Sequence, residues 1–127
     1  MQAFCTYCSR DKIAEPGDLP AIRRYQDSRI EKVYAAASKL GLEFYILSGE
    51  FGLLHPQQPI QWYDHLLKPE EVSSLADRVA GQLRDYRITG LVYFTESFAQ
   101  DPNAIPYHDA IVAACSRTRL PMLVIDL

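Results

Sequence analysis

Apolar positions along the chain fall into two patterns. Four short runs are almost continuously apolar: Ala3-Phe4-Cys5-Thr6-Tyr7, Glu43-Phe44-Tyr45-Ile46-Leu47, Leu91-Val92-Tyr93-Phe94 and Met122-Leu123-Val124-Ile125. Runs of that length with little alternation predict strands covered on both faces. Between them, apolar residues recur at helical spacing. Ile22, Tyr25, Ile30, Val33, Tyr34 and Ala37 mark a first helix, and Gly41 follows as a stop signal. Val72, Leu75, Ala76, Val79 and Leu83 mark a second. Pro69 suits its first position, and Glu70 and Glu71 then face the positive end of the helix dipole. Tyr107, Ala110, Ile111 and Ala114 mark a third, shorter helix.

The order is strand, helix, strand, loop, helix, strand, helix, strand. Alternation of this kind predicts a parallel sheet wrapped by helices. The expectation is a single three-layer α/β domain over residues 1–127, with a four-stranded parallel sheet in the favoured order 2-1-3-4. Ligands of such sheets bind beyond the carboxyl ends of the strands, where the chain reverses direction. That rule nominates Cys8-Ser9-Arg10-Asp11-Lys12, the loop from Ser48, and Thr95-Glu96-Ser97.

The loop stands out. Residues 49–68 show no periodicity, and an irregular connection of that length is usually functional or disordered. Phe51, Leu53, Leu54, Ile60, Trp62, Tyr63, Leu66 and Leu67 make it too apolar to remain in water. It should pack on the carboxyl edge of the sheet, its backbone restricted by Pro56, Pro59 and Pro69. Gly49 and Gly52 flank Glu50-Phe51. They either aim backbone N–H groups into a pocket or simply make the turn.

Composition narrows the partners. The chain has 127 residues, 48% of them hydrophobic and 23% charged, which suits one ordinary globular core. A formal charge of −3 argues against an extensive footprint on duplex DNA, which normally needs a basic face. A nucleobase, nucleoside or nucleotide, or a short single-stranded contact, remains compatible. No apolar run has a membrane-spanning length and the N-terminus lacks a signal-peptide pattern, so the expected compartment is the cytoplasm, with no membrane partner. Cys5-Thr6-Tyr7-Cys8 spells C-x-x-C, but residues three apart on a strand face opposite ways and no second pair completes a zinc site. No metal or other cofactor is expected.

The segment Tyr45-Ile46-Leu47-Ser48-Gly49-Glu50-Phe51-Gly52-Leu53-Leu54-His55-Pro56, followed by Ile60 and Tyr63, resembles the L-S-G-x-[YF]-G-[VL]-[LI]-x-P…Y motif of YaaA-type peroxide-stress proteins. The match covers about a fifth of the chain. Cys8-Ser9-x-x-Lys12 and Tyr63-Asp64 also look like a group of small bacterial and phage domains. A related pattern occurs in the accessory domain of archaeosine synthases. That wider group has been likened to the uracil-DNA glycosylase fold, and some YaaA relatives are associated with excision of modified bases. The resemblance therefore implies a glycosylase-like sheet and a nucleobase site. After the third strand, where YaaA-type proteins tend to read A-S-x-E-Y, this chain reads Thr95-Glu96-Ser97-Phe98.

Cleaving an N-glycosidic bond passes through an oxocarbenium-like sugar. A carboxylate can stabilise that charge or activate water, and donors to the departing base ease its release. Aromatic faces stack the base. The nominated edge supplies Asp64, Glu50 and Glu96 as candidate acids. Cys8, Ser9, Lys12, Ser48, Gly49, Gly52 and Ser97 are candidate binding groups, and Phe51, Trp62 and Tyr63 are candidate stacking faces. Binding without turnover, or action through protein contacts, is the alternative reading of the same residues.

Overall fold

The computed structural model describes residues 1–127. Its elements are β1 (Gln2–Tyr7), β2 (Leu19–Pro20), α1 (Ala21–Arg24), α2 (Ser28–Leu40), β3 (Glu43–Ser48), β4 (Gly52–Leu54), β5 (Pro59–Ile60), α3 (Val72–Asp85), β6 (Gly90–Thr95), α4 (Ala104–Arg117) and β7 (Met122–Asp126). The main sheet runs β4-β3-β1-β6-β7. Its four parallel strands, β3-β1-β6-β7, follow the expected order. The strand count needs correcting. A fifth strand, β4, returns antiparallel against β3, pairing Ile46 with Leu54 and Ser48 with Gly52. It comes from the segment expected to be irregular, and Leu53 and Leu54 are too short a run to announce a strand. A small second sheet pairs β2 with β5, Leu19 opposite Ile60.

Side-chain alternation along β1 assigns the helices to faces. Thr6 Oγ1 meets Arg29 of α2, while the ring of Tyr7 stacks on Tyr107 of α4. Thus α2 covers one face and α4, packed on α3, covers the other. Ala3, Cys5, Tyr45, Ile46, Leu47, Leu91 and Tyr93 fill the buried middle.

Two further expectations change. The first helical stripe is broken. Tyr25 leaves helical conformation (φ −84, ψ 131) and its backbone bridges Lys12. A new helix then starts with Asp27 as its cap, accepting the Arg29 N–H at 2.8 Å. Strand β7 is not covered on both faces. It forms the sheet's edge, and Leu123 is 58% exposed. Pro69 begins a single 3-10 turn, Pro69–Glu71, that leads into α3, and Glu71 reaches back to accept the Lys68 N–H at 3.0 Å. No helix is long and apolar enough to cross a membrane.

Candidate functional site

The largest cavity, a cleft of about 720 Å³, opens at the carboxyl end of β1, between β3 and β6 where the strand order reverses. Its floor is Tyr7, Cys8 and Tyr107. One wall is Ser9, Arg10, Asp11 and Lys12, continuing to Asp27 and Arg29 at the start of α2. The loop contributes Asp64, His65 and Leu66, and the start of α4 contributes Asp101 and Asn103. Two helix N-termini therefore border one polar cleft, which favours anionic ligand groups there.

The wall is stiff. Ser9 Oγ donates to the Asp11 carbonyl at 2.7 Å, the Gln26 N–H donates to the same carbonyl at 2.8 Å, and the Ile13 N–H donates to Arg24 at 2.8 Å. Arg29 fixes the end of β1. Its guanidinium donates to Thr6 Oγ1 and the Tyr7 carbonyl, each at 2.6 Å, and to the Cys8 carbonyl at 3.3 Å. It pairs with Asp27 at 3.2 Å and lies 3.7 Å over the Tyr7 ring. Tyr7 in turn donates its hydroxyl to Asp101 Oδ2 at 2.9 Å. Burial, against the pull of Arg29, pushes the Tyr7 phenol up, so it remains a donor at neutral pH. Asp101 is thus a carboxylate held by a neutral donor at the cleft. Sequence reasoning missed both Asp101 and Arg29. Asp101 lies beyond the nominated strand end, and Arg29 reads from its helical position as a side chain that packs or snorkels.

Of the nominated residues, the cleft brings together Cys8, Ser9, Lys12 and Asp64. Tyr63 lies just behind it. Its hydroxyl meets Tyr25 at 2.5 Å and Ser48 Oγ at 2.9 Å, and its ring supports the Lys12 ammonium at 4.5 Å. Burial, then Cys8 and Tyr25, push the Tyr63 hydroxyl far up, so it stays protonated. Phe51 packs edge-on against Tyr63, with centroids 5.3 Å apart.

The other nominated groups are placed elsewhere. Ser48 Oγ accepts the N–H groups of Glu50 and Phe51, each at 3.1 Å, so the turn's donors close on the turn and do not line the cleft. Gly52 has φ +73, and a Cβ there would lie 2.3 Å from Gln82 Oε1. That same oxygen accepts the Leu53 N–H at 2.7 Å, so the glycine lets α3 cap the edge of β4. A Cβ on Gly49 would sit 3.3 Å from Leu67 Cβ, where the two halves of the loop meet. These glycines serve the turn.

Glu50 faces a neighbouring groove with His65, Glu71 and Arg78. His65 Nδ1 meets Glu50 at 3.1 Å and His65 Nε2 meets Glu71 at 2.8 Å. Burial lowers the His65 pKa, but hydrogen bonds and charge from both glutamates outweigh it, and the net direction is up. Glu71 is lowered, by the Lys68 N–H and then by His65. Glu96 lies in a groove beside α2, with Lys32, Phe94 and Leu127. Ser97 accepts the Gln100 N–H at 3.3 Å in the turn before α4. Trp62 is 52% exposed and borders a shallow hollow over residues 14–17, away from the cleft.

Three or more His, Cys, Asp or Glu side chains nowhere converge as a metal site. Cys5, Cys8 and Cys115 are free thiols. Burial, then Cys115, drive the Cys5 thiol far up, which suits an inert core residue. Fold and site together define an α/β domain with one polar cleft at its topological switch point. No family model matches the chain, and no curated protein matches it.

Proposed function

We propose that this chain is a nucleobase- or nucleotide-recognising domain that cleaves an N-glycosidic bond, with Asp64 as the carboxylate beside the sugar. The observation that carries the reading is the cleft itself. A volume of about 720 Å³ suits one nucleotide. Within it Lys12 and Asn103 offer donors, Asp64 and Asp101 offer carboxylates, and Tyr7 and Tyr107 form a buried floor. Donors for the base and a carboxylate for the sugar are what departure of a base requires. The likeness of residues 45–56, with Ile60 and Tyr63, to YaaA-type proteins supports the same reading, as does the parallel-strand order. Of the three acids expected from sequence, Asp64 is retained. Glu50 is engaged by His65, and Glu96 lies in the groove beside α2.

One observation favours a second reading, binding without turnover. Asp64 is exposed and no hydrogen bond orients its carboxylate, whereas Asp101 is held by Tyr7. The test is release of free base from a panel of nucleosides, nucleotides and oligonucleotides with modified bases, with binding measured in parallel by calorimetry. The expected result is release by the wild type and a loss of at least about 100-fold in Asp64→Asn. Binding without release from any substrate selects the second reading. No binding across the panel overturns both.

A further inference from the structure

Lys12 is a fixed cation without a counter-ion. Its backbone bridges Tyr25, and both neighbouring residues are tied down by the bonds from Gln26 and to Arg24. Its ammonium donates to the Arg10 carbonyl at 3.3 Å and lies 4.5 Å from the Tyr63 ring centroid and 6.0 Å from that of Tyr25. Those two rings are locked in turn through their shared hydroxyl contact and Ser48. Yet no carboxylate lies within 4.0 Å of the Lys12 ammonium, although four aspartates line the same cleft. Arg10 is also unpaired.

Surface lysines ordinarily keep their rotamer freedom, and ordering one costs conformational entropy. Here the fold has met that cost in advance, which favours any ligand group the ammonium then binds. Two N–H donors of the ammonium are left for that group. Arg29, the third cation of the cleft, is matched by Asp27. The wall formed by residues 8–12 carries two unpaired cations, Arg10 and Lys12, against one carboxylate, Asp11, while Asp64 and Asp101 belong to other segments of the rim. A ligand fitting that distribution is anionic at one end and carries hydroxyl or amine donors at the other.

Resting on the nucleotide reading above, we propose that Lys12, with Arg10 beside it, forms a phosphate subsite and that the ligand class is phosphomonoesters of nucleosides. The phosphate belongs either to a mononucleotide or to the 5′ end of a short strand. Calorimetry separates these. The titrants are nucleosides and their 5′-monophosphates, a short oligonucleotide with and without its 5′-phosphate, and inorganic phosphate. In at least one of the two organic pairs the phosphorylated member should bind about tenfold tighter, and the favoured pair names the source. Inorganic phosphate should compete with that member.

The advantage should fall below about twofold in Lys12→Gln, persist in part in Lys12→Arg, survive unchanged in the surface control Lys39→Gln, and shrink as salt rises. A phosphate advantage that survives Lys12→Gln overturns the subsite. Equal binding with and without phosphate in both pairs overturns it too, and leaves the nucleotide reading standing. If Lys12→Gln fails to fold, the wild-type pairs and Lys12→Arg still decide. No binding by any titrant removes both this proposal and the reading beneath it.

Discussion

Arg24 and Arg29 are neighbours in sequence and both are withdrawn from solvent, at 0% and 5% exposure. Their settings differ. Arg24 has no carboxylate partner. Its guanidinium donates to the carbonyls of Ile13, Glu15, Gly17 and Ile60, at 2.7, 2.8, 2.6 and 3.1 Å, and its Nε has no partner. Those carbonyls belong to the chain after the cleft wall and to β5, so Arg24 staples two irregular segments together. Arg29 holds the last carbonyls of β1, pairs with Asp27 and lines the cleft. A buried guanidinium does not by itself mark a functional site. What distinguishes the two is whose carbonyls they hold and whether a ligand can reach them.

The largest effect should come from breaking the staple. Arg24→Met removes the guanidinium donors from four carbonyls and is expected to cost about 3–5 kcal/mol in stability, read by urea denaturation. Ligand affinity of the folded fraction should change little, because Arg24 does not line the cleft. Arg29→Met should cost less, about 2–4 kcal/mol, since Asp27 keeps its capping bond to the Arg29 N–H and remains partly solvated. Unlike Arg24→Met, it should also weaken ligand binding at least about tenfold, because the end of β1 and the Tyr7–Asp101 contact lose their support. Equal effects of the two substitutions on affinity would erase the distinction.

The smallest effect concerns His65, which ties the loop to the turn before α3. Its folded pKa is raised above the unfolded value, so its contribution is fully present below about pH 6.5 and is lost as pH rises through the raised folded value. The partners are half-exposed and screened. The expected change is a fall of about 1–2 °C in Tm across that window, absent in His65→Gln. A rise in Tm over the same window attributable to His65 would contradict the assignment.

Much of the fold was legible because continuous apolar runs and helical stripes report burial directly. Leu53 and Leu54 were visible only as part of an apolar loop, because three residues cannot display the alternation that marks a strand. Arg24 was unreadable for a different reason. Charge in a sequence implies solvent, and only the fold reveals four carbonyls converging on one guanidinium. The break at Tyr25 was hidden because its hydroxyl contact with Tyr63 is set by tertiary structure, while its spacing fits a helix. In the cleft, the switch-point rule located Cys8, Ser9 and Lys12, and Asp64 came with the loop. Glu50 was misplaced because nothing local shows that His65 turns back to claim it. Asp101 was missed because its role depends on Tyr7, at the opposite end of the chain.

The cleft between Ser9, Lys12, Asp64 and Asp101 is the proposed ligand site. Its most direct test is a crystal structure of the protein soaked with a mixture of nucleobases, nucleosides and nucleotides at saturating concentration. The expected result is density in that cleft, with a polar group on Ser9 or Lys12. An empty cleft, or a ligand bound instead over Trp62 or beside Glu96, would contradict it.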